Sequence, residues 1–151
     1  MKVRPGVSLV ETVLVLAIAG ILLAVAVPRF STISASGAVR NGQTRLVSAI
    51  ATARAAAIQR GGNASFKLAG NRVTVVANAG TLNLISPVPM DTLYQVAVTT
   101  SPATSQVDFD GRGFASNIPS GVTFVLRRTG IAPESVCVTK LGVVRRTCES
   151  L

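Results

Sequence analysis

Apolar residues run almost without interruption from Val7 to Val27, 21 positions with Glu11 as their only charge. As a helix, such a run can span a bilayer with some tilt. Pro5 and Gly6 stand before it, and Ser8 is placed to cap it. Pro28 predicts a kink or local melting. Beyond it, Val39, Leu46, Ile50, Ala53 and Ala57 recur at spacings of three, four or seven and form one apolar stripe. Arg40, Arg45 and Arg54 fall largely off that stripe, which reads as the seat for a sheet. The segment "RGGN", Arg60 to Asn63, is a strong stop. A continuous helix from Ser8 to Gln59 would be roughly 78 Å long at 1.5 Å per residue. Its first half would be an apolar stalk that must lie in a bilayer or pack against copies of itself.

After Gly62 the pattern changes to short β-rich runs separated by turn residues. "SFKLAGNRVTVVA" predicts a hairpin turning at Ala69–Asn71. "TLNLISP", "LYQVAVTT" and "QVDFD" come next as strands, and "DGRG", Asp110 to Gly113, as a turn. "GVTFVLRR", "ESVCVTK" and "VVRRTC" close the chain, while Pro87, Pro89 and Pro102 mark loops or edges. The expected fold is α+β, a long N-terminal helix packed on a C-terminal antiparallel sheet domain.

Composition narrows the function. The chain has 151 residues, and from Gly61 onward only 91 remain for a sheet domain, with few aromatics and no Trp. The formal charge is +9; removing Lys2 and Arg4 leaves 13 basic against 6 acidic residues, or +7. That excess suits an anionic partner such as nucleic acid or phospholipid headgroups, and equally an ordinary solvated surface. There is no histidine, so the commonest general base and metal ligand are missing. Ser and Thr lack an accompanying base, and Asp108 with Asp110 makes only a thin case for a calcium loop. Neither an enzyme nor a cofactor or metal protein is expected. Cys137 and Cys148 cannot complete a zinc site alone; a disulfide, formed outside the cytoplasm, is the simpler fate. A hairpin turning at Gly142–Val143 would set them directly opposite each other, for about 2–4 kcal/mol.

Three readings compete for the N-terminus. A plain membrane anchor would keep Lys2 and Arg4 inside. A conventional signal peptide would be cut after "AVA", Ala24–Ala26. Glu11 argues against the latter, since a carboxylate well inside the membrane costs about 2.5–3.5 kcal/mol and serves nothing in a discarded segment. The third reading rests on "GVSLVE" followed by the long apolar helix. This resembles the class III leader of type IV pilins and type II secretion pseudopilins: a Gly, an apolar first mature residue, a Ser or Thr, and a Glu fifth in the mature chain. Here these are Gly6, Val7, Ser8 and Glu11, with Val7 in place of the more usual Phe. The resemblance implies that prepilin peptidase cuts between Gly6 and Val7 and methylates the new amine. It divides the chain into a leader (1–6), an apolar membrane or filament-core helix (7–29) and a globular domain (30–151). It also gives Glu11 a role: pairing with the Val7 amine of a neighbouring subunit, which relieves two costly charges in apolar surroundings and favours one packing register.

A second resemblance covers the other half. "VDFDGRGF", "VTFVLRR" and "SVCVTKLGVVRRTC" look like the C-terminal half of the GspH/FimT family of minor pilins and pseudopilins, with its Phe-x-x-x-Gly turn and Gly-Arg-x-Arg-like last hairpin. Phe109, Gly113, Gly142 and Arg145 fit; Val143 stands where the first Arg belongs. This likeness implies a structural subunit of a type IV pilus or type II secretion pseudopilus. It would be held in the inner membrane by a single helix before assembly, with its C-terminal domain on the periplasmic side and other pilins as partners. Some members of this family bind DNA for natural transformation through basic residues of the last hairpin, so DNA is the alternative partner. The candidate contacts are Lys140, Arg145, Arg146, Arg127 and Arg128, without neighbouring aromatics for stacking. In the register above Lys140 would face Arg145, an unfavourable like-charge pair. Either that register is wrong or an anion stands between them.

Overall fold

A computed structural model describes residues 8–148. Helix α1 spans Leu9–Arg60. Ser8 occupies its N-cap position, and the Ser8 carbonyl accepts the first helical bond from Thr12 N at 3.2 Å. At the other end Gly61 takes a left-handed φ of 59°. Gly61 N donates to Ile58 O and Gly62 N to Ala57 O, each at 3.2 Å. This is a Schellman stop, so "RGGN" ends the helix as its glycines predict. The helix is unbroken through residue 28, so the local melting expected there is absent. A proline removes one backbone bond, whereas unwinding a turn of an apolar segment would strip several backbone groups of their partners.

The chain divides into two compact units, Met1–Ser34 and Ala35–Leu151. In the first, the helix is apolar on all sides and its side chains are exposed: Leu14, Ile18 and Leu22 keep 58, 51 and 65% of their surface free. α1 is long and apolar enough to cross a membrane.

The second unit holds the core. Its strands are β1 (Ala64–Ala69), β2 (Arg72–Ala77), β3 (Leu82–Pro89), β4 (Ala97–Ser101), β5 (Gln106–Phe109), β6 (Gly121–Arg128), β7 (Ile131–Thr139) and β8 (Val144–Arg145), with a one-turn helix α2 at Met90–Leu93. They form two four-stranded sheets, ordered β3-β2-β1-β5 and β4-β6-β7-β8, and every pairing is antiparallel. All five stripe residues, Val39, Leu46, Ile50, Ala53 and Ala57, are buried, and Ala49 and Ala56 join them. Helix and sheets share one apolar cluster. Phe66 of β1 meets Phe124 of β6 edge to face, their ring centres 5.4 Å apart, which joins the two sheets.

The first hairpin turns at Gly70 and Asn71, both at positive φ (53° and 62°), within the expected span. Two residues in this conformation match the twist of the strands they connect. Asn71 does more than turn. Its side-chain amide donates to Val96 O and its side-chain oxygen accepts from Val98 N, both at 2.8 Å, tying the first sheet to the start of β4. The segment "LYQVAVTT" is therefore strand only from Ala97. Leu93 is the last residue of α2, and the residues after it close that turn, Tyr94 N and Val96 N both donating to Met90 O at 3.2 Å.

Candidate functional site

The last hairpin carries most of the residues singled out from the sequence, and its register differs from expectation. Val138 pairs with Val144, and Cys137 pairs with Arg145. Thr139 N donates to Val143 O at 3.0 Å and Gly142 N to Thr139 O at 2.9 Å, so the turn is centred earlier than Gly142–Val143. Cys148 thus lies beyond the end of β8 rather than across from Cys137. The disulfide Cys137–Cys148 nevertheless forms, with the Cα atoms 5.7 Å apart. The like-charge conflict disappears with the old register: Arg145 stands opposite Cys137, and Lys140 sits in the turn, where its carbonyl accepts Ala115 N at 2.9 Å. Of the two explanations, the shifted register suffices.

The shift has a tertiary cause. Gly142 has a φ of 74° and lies so close to the Asp110–Gly113 turn that a Cβ placed on it would be 2.1 Å from Gly113 O. Gly113, at φ 83°, is close as well, though to a side chain: a Cβ there would be 2.7 Å from Ile58 Cδ1. Arg54 reaches from α1 to join the two turns. Its Nε donates to Gly113 O at 3.1 Å and its Nη2 to Leu141 O at 3.4 Å. Asp110 holds its own turn through Oδ1, which accepts Arg112 N at 3.0 Å and Phe114 N at 2.9 Å. The buried Phe109 anchors the strand that leads into this turn. Phe109, Gly113 and Gly142, noticed as motif positions, thus belong to one junction whose fourth member, Arg54, sequence reasoning left as an off-stripe cation.

Gln43 was also missed. Only 5% of it is exposed. Its side-chain amide donates to Ser135 O at 2.9 Å and Arg146 O at 3.1 Å, so α1 holds the segment that leads to Cys148. A signal existed: Gln43 stands four residues after Val39 and three before Leu46, on the stripe itself.

The cations do not form one cluster. Thr139 pairs with Gly121, so Lys140 lies beyond one end of β6. Arg127 and Arg128 close its other end, about 20 Å away at roughly 3.3 Å per residue. Arg128 Nη2 donates to Gln95 Oε1 at 2.7 Å, while Arg127 is exposed. Arg145 and Arg146 are exposed near the disulfide. Glu11 is exposed in the first turn of α1, and no ion-pair partner is found for it among the described residues. Gly6 and Val7, the expected cleavage and methylation positions, lie outside the described residues.

Residues 43–142 match the family described as "Type II transport protein GspH". Two crystal forms of the type IV minor pilin FimU of Pseudomonas aeruginosa (strain PAO1) share the fold, with TM-scores of 0.61 and 0.60 at 14% identity. The first alignment covers 73% of this chain and 88% of FimU, the second 72% and 92%. No curated protein matches the chain.

Proposed function

The chain belongs to the GspH family, and from that premise we propose that it is a structural subunit, a minor pilin or pseudopilin, of a type IV pilus or a type II secretion pseudopilus. The observation that carries this reading is the first part of α1, a helix long and apolar enough to cross a membrane, exposed on all sides and interrupted by a single carboxylate, Glu11. Such a surface needs a bilayer or other apolar helices around it, and a filament subunit meets both in turn. Prepilin peptidase removes residues 1–6 and methylates the amine of Val7; residues 7–29 then anchor the chain in the inner membrane and later pack in the filament core; residues 30–151 stay on the periplasmic side. The disulfide agrees with that compartment. Glu11 pairs with the Val7 amine of a neighbouring subunit and selects one packing register. Mass spectrometry of the mature N-terminus tests the reading: a methylated Val7 is expected, and a chain beginning at Val27 would overturn it.

DNA is the second reading, favoured by the exposed pair Arg145 and Arg146 beside the disulfide. With Arg127 and Arg128 at the far end of β6, the contact would involve few phosphates, so binding would be weak and its salt dependence shallow. Duplex binding by residues 30–151, with and without Arg145→Ala/Arg146→Ala, decides it. No binding near about 50 mM salt, where phosphate contacts are strongest, or binding unchanged by the substitutions, ends this reading for the hairpin.

A further inference from the structure

Around the junction of α1 with the Asp110–Gly113 turn and the turn between β7 and β8, the unit Ala35–Leu151 leaves apolar surface uncovered. Ile58, Phe114, Leu141 and Val143 are 48, 40, 61 and 39% exposed. They are neighbours through the same close contacts: Gly113, next to Phe114, lies against Ile58, and Leu141 and Gly142 lie against Arg54 and Gly113. On α1 the small side chains of Ala51 and Ala55 continue the surface. With Ile58, Val143 and others they line an open groove of about 480 Å³. Small residues on a helix let a partner's backbone come close, and an apolar patch rimmed by polar groups marks a contact between proteins.

The rim is positive. Arg112 and Lys140 are exposed on the two turns, and the nearby carboxylate, Asp110, is occupied by the backbone of its own turn. A second copy of the chain is a poor occupant. Its described residues in this unit carry twelve Lys and Arg against four carboxylates. Asp108 is held by Ser65 and Gln106, Asp110 by its own turn, and Glu134 lies near Arg40 and Gln43, leaving Asp91 alone with only a neighbouring backbone N–H. Two such grooves brought together would oppose like charges, which selects against self-association.

We propose that this groove seats a different subunit of the same filament, one that presents an apolar ridge flanked by Asp or Glu side chains. The apolar ridge would cover Ile58, Leu141 and Val143, and the carboxylates would meet Arg112 and Lys140. This rests on the reading of the chain as a pilin or pseudopilin. The test introduces a photoreactive amino acid at Leu141 of the full chain, in cells that assemble the filament, and identifies the linked peptide by mass spectrometry. A heterologous pilin linked through a segment containing Asp or Glu is expected. Arg112→Glu combined with Lys140→Glu should lower the adduct yield about tenfold, as two exposed attractions become repulsions. Changing the partner's carboxylates to Lys should restore it. An adduct with a second copy, an adduct indifferent to the charge reversal, or no adduct from chains that are present in filaments would overturn the proposal. Absence of the chain from filaments altogether would overturn the pilin reading, and this proposal with it.

Discussion

Replacing Gly142 with alanine isolates the contact that sets the last hairpin. Two costs add. A residue with a Cβ held at φ 74° loses about 1–2 kcal/mol through the left-handed backbone alone. The new methyl would also stand 2.1 Å from Gly113 O and 2.9 Å from Arg54 Nε. The first of these is backbone and cannot swing away, so the two turns must separate, at about 1–3 kcal/mol for an overpacked site. The total is roughly 2–5 kcal/mol. Gly130 supplies the control: its φ is 77°, and nothing lies within 4 Å of a Cβ placed there. Gly130→Ala should therefore show the conformational cost alone, about 1–2 kcal/mol. Equilibrium urea unfolding of residues 30–151 with the disulfide intact measures both, and this fragment contains every buried core residue. Losses that agree within about 0.5 kcal/mol, the level at which independent effects are usually separable, would refute the argument that contact with Gly113 sets the turn.

Three further outcomes are expected. Gln43→Ala leaves Ser135 O and Arg146 O without their donor and should cost about 1–3 kcal/mol; amide exchange should quicken in the segment before Cys148, and unchanged protection there would show that Gln43 does not hold it. Cys137→Ser/Cys148→Ser should lower the unfolding free energy by about 2–4 kcal/mol, read from urea midpoints, while far-ultraviolet circular dichroism stays the same because the apolar cluster shared by the helix and both sheets does not include the two cysteines. Glu11→Ala should leave cleavage after Gly6 intact but reduce incorporation into filaments, measured by comparing membrane and filament fractions; normal incorporation would end the pairing role.

The parts of this protein that local chemistry decides are readable along the chain. The apolar run from Val7 to Val27, the stripe from Val39 to Ala57, the glycine stop after Arg60 and the turn at Gly70–Asn71 each depend on residues a few positions apart, and helical or strand periodicity exposes them. Even the disulfide was legible as a pairing, since two cysteines allow only one. Its path was not. The register of β7 with β8 comes from a turn pressed against Gly113, and Gly113 is held by Arg54, some sixty positions earlier. A longer separation, 92 and 103 positions, hides the partners of Gln43, a polar residue on an apolar stripe whose acceptors lie on β7 and beyond β8. Also hidden is the separation of the basic residues, which are close in type but stand at opposite ends of β6. Sequence by itself determined the elements, the long helix with its lone carboxylate and the strands after it, because those are set by short-range sterics and periodic burial. Tertiary structure alone decided which turn rests on which, because a Cβ that would fit an isolated hairpin has no room once another backbone occupies that space.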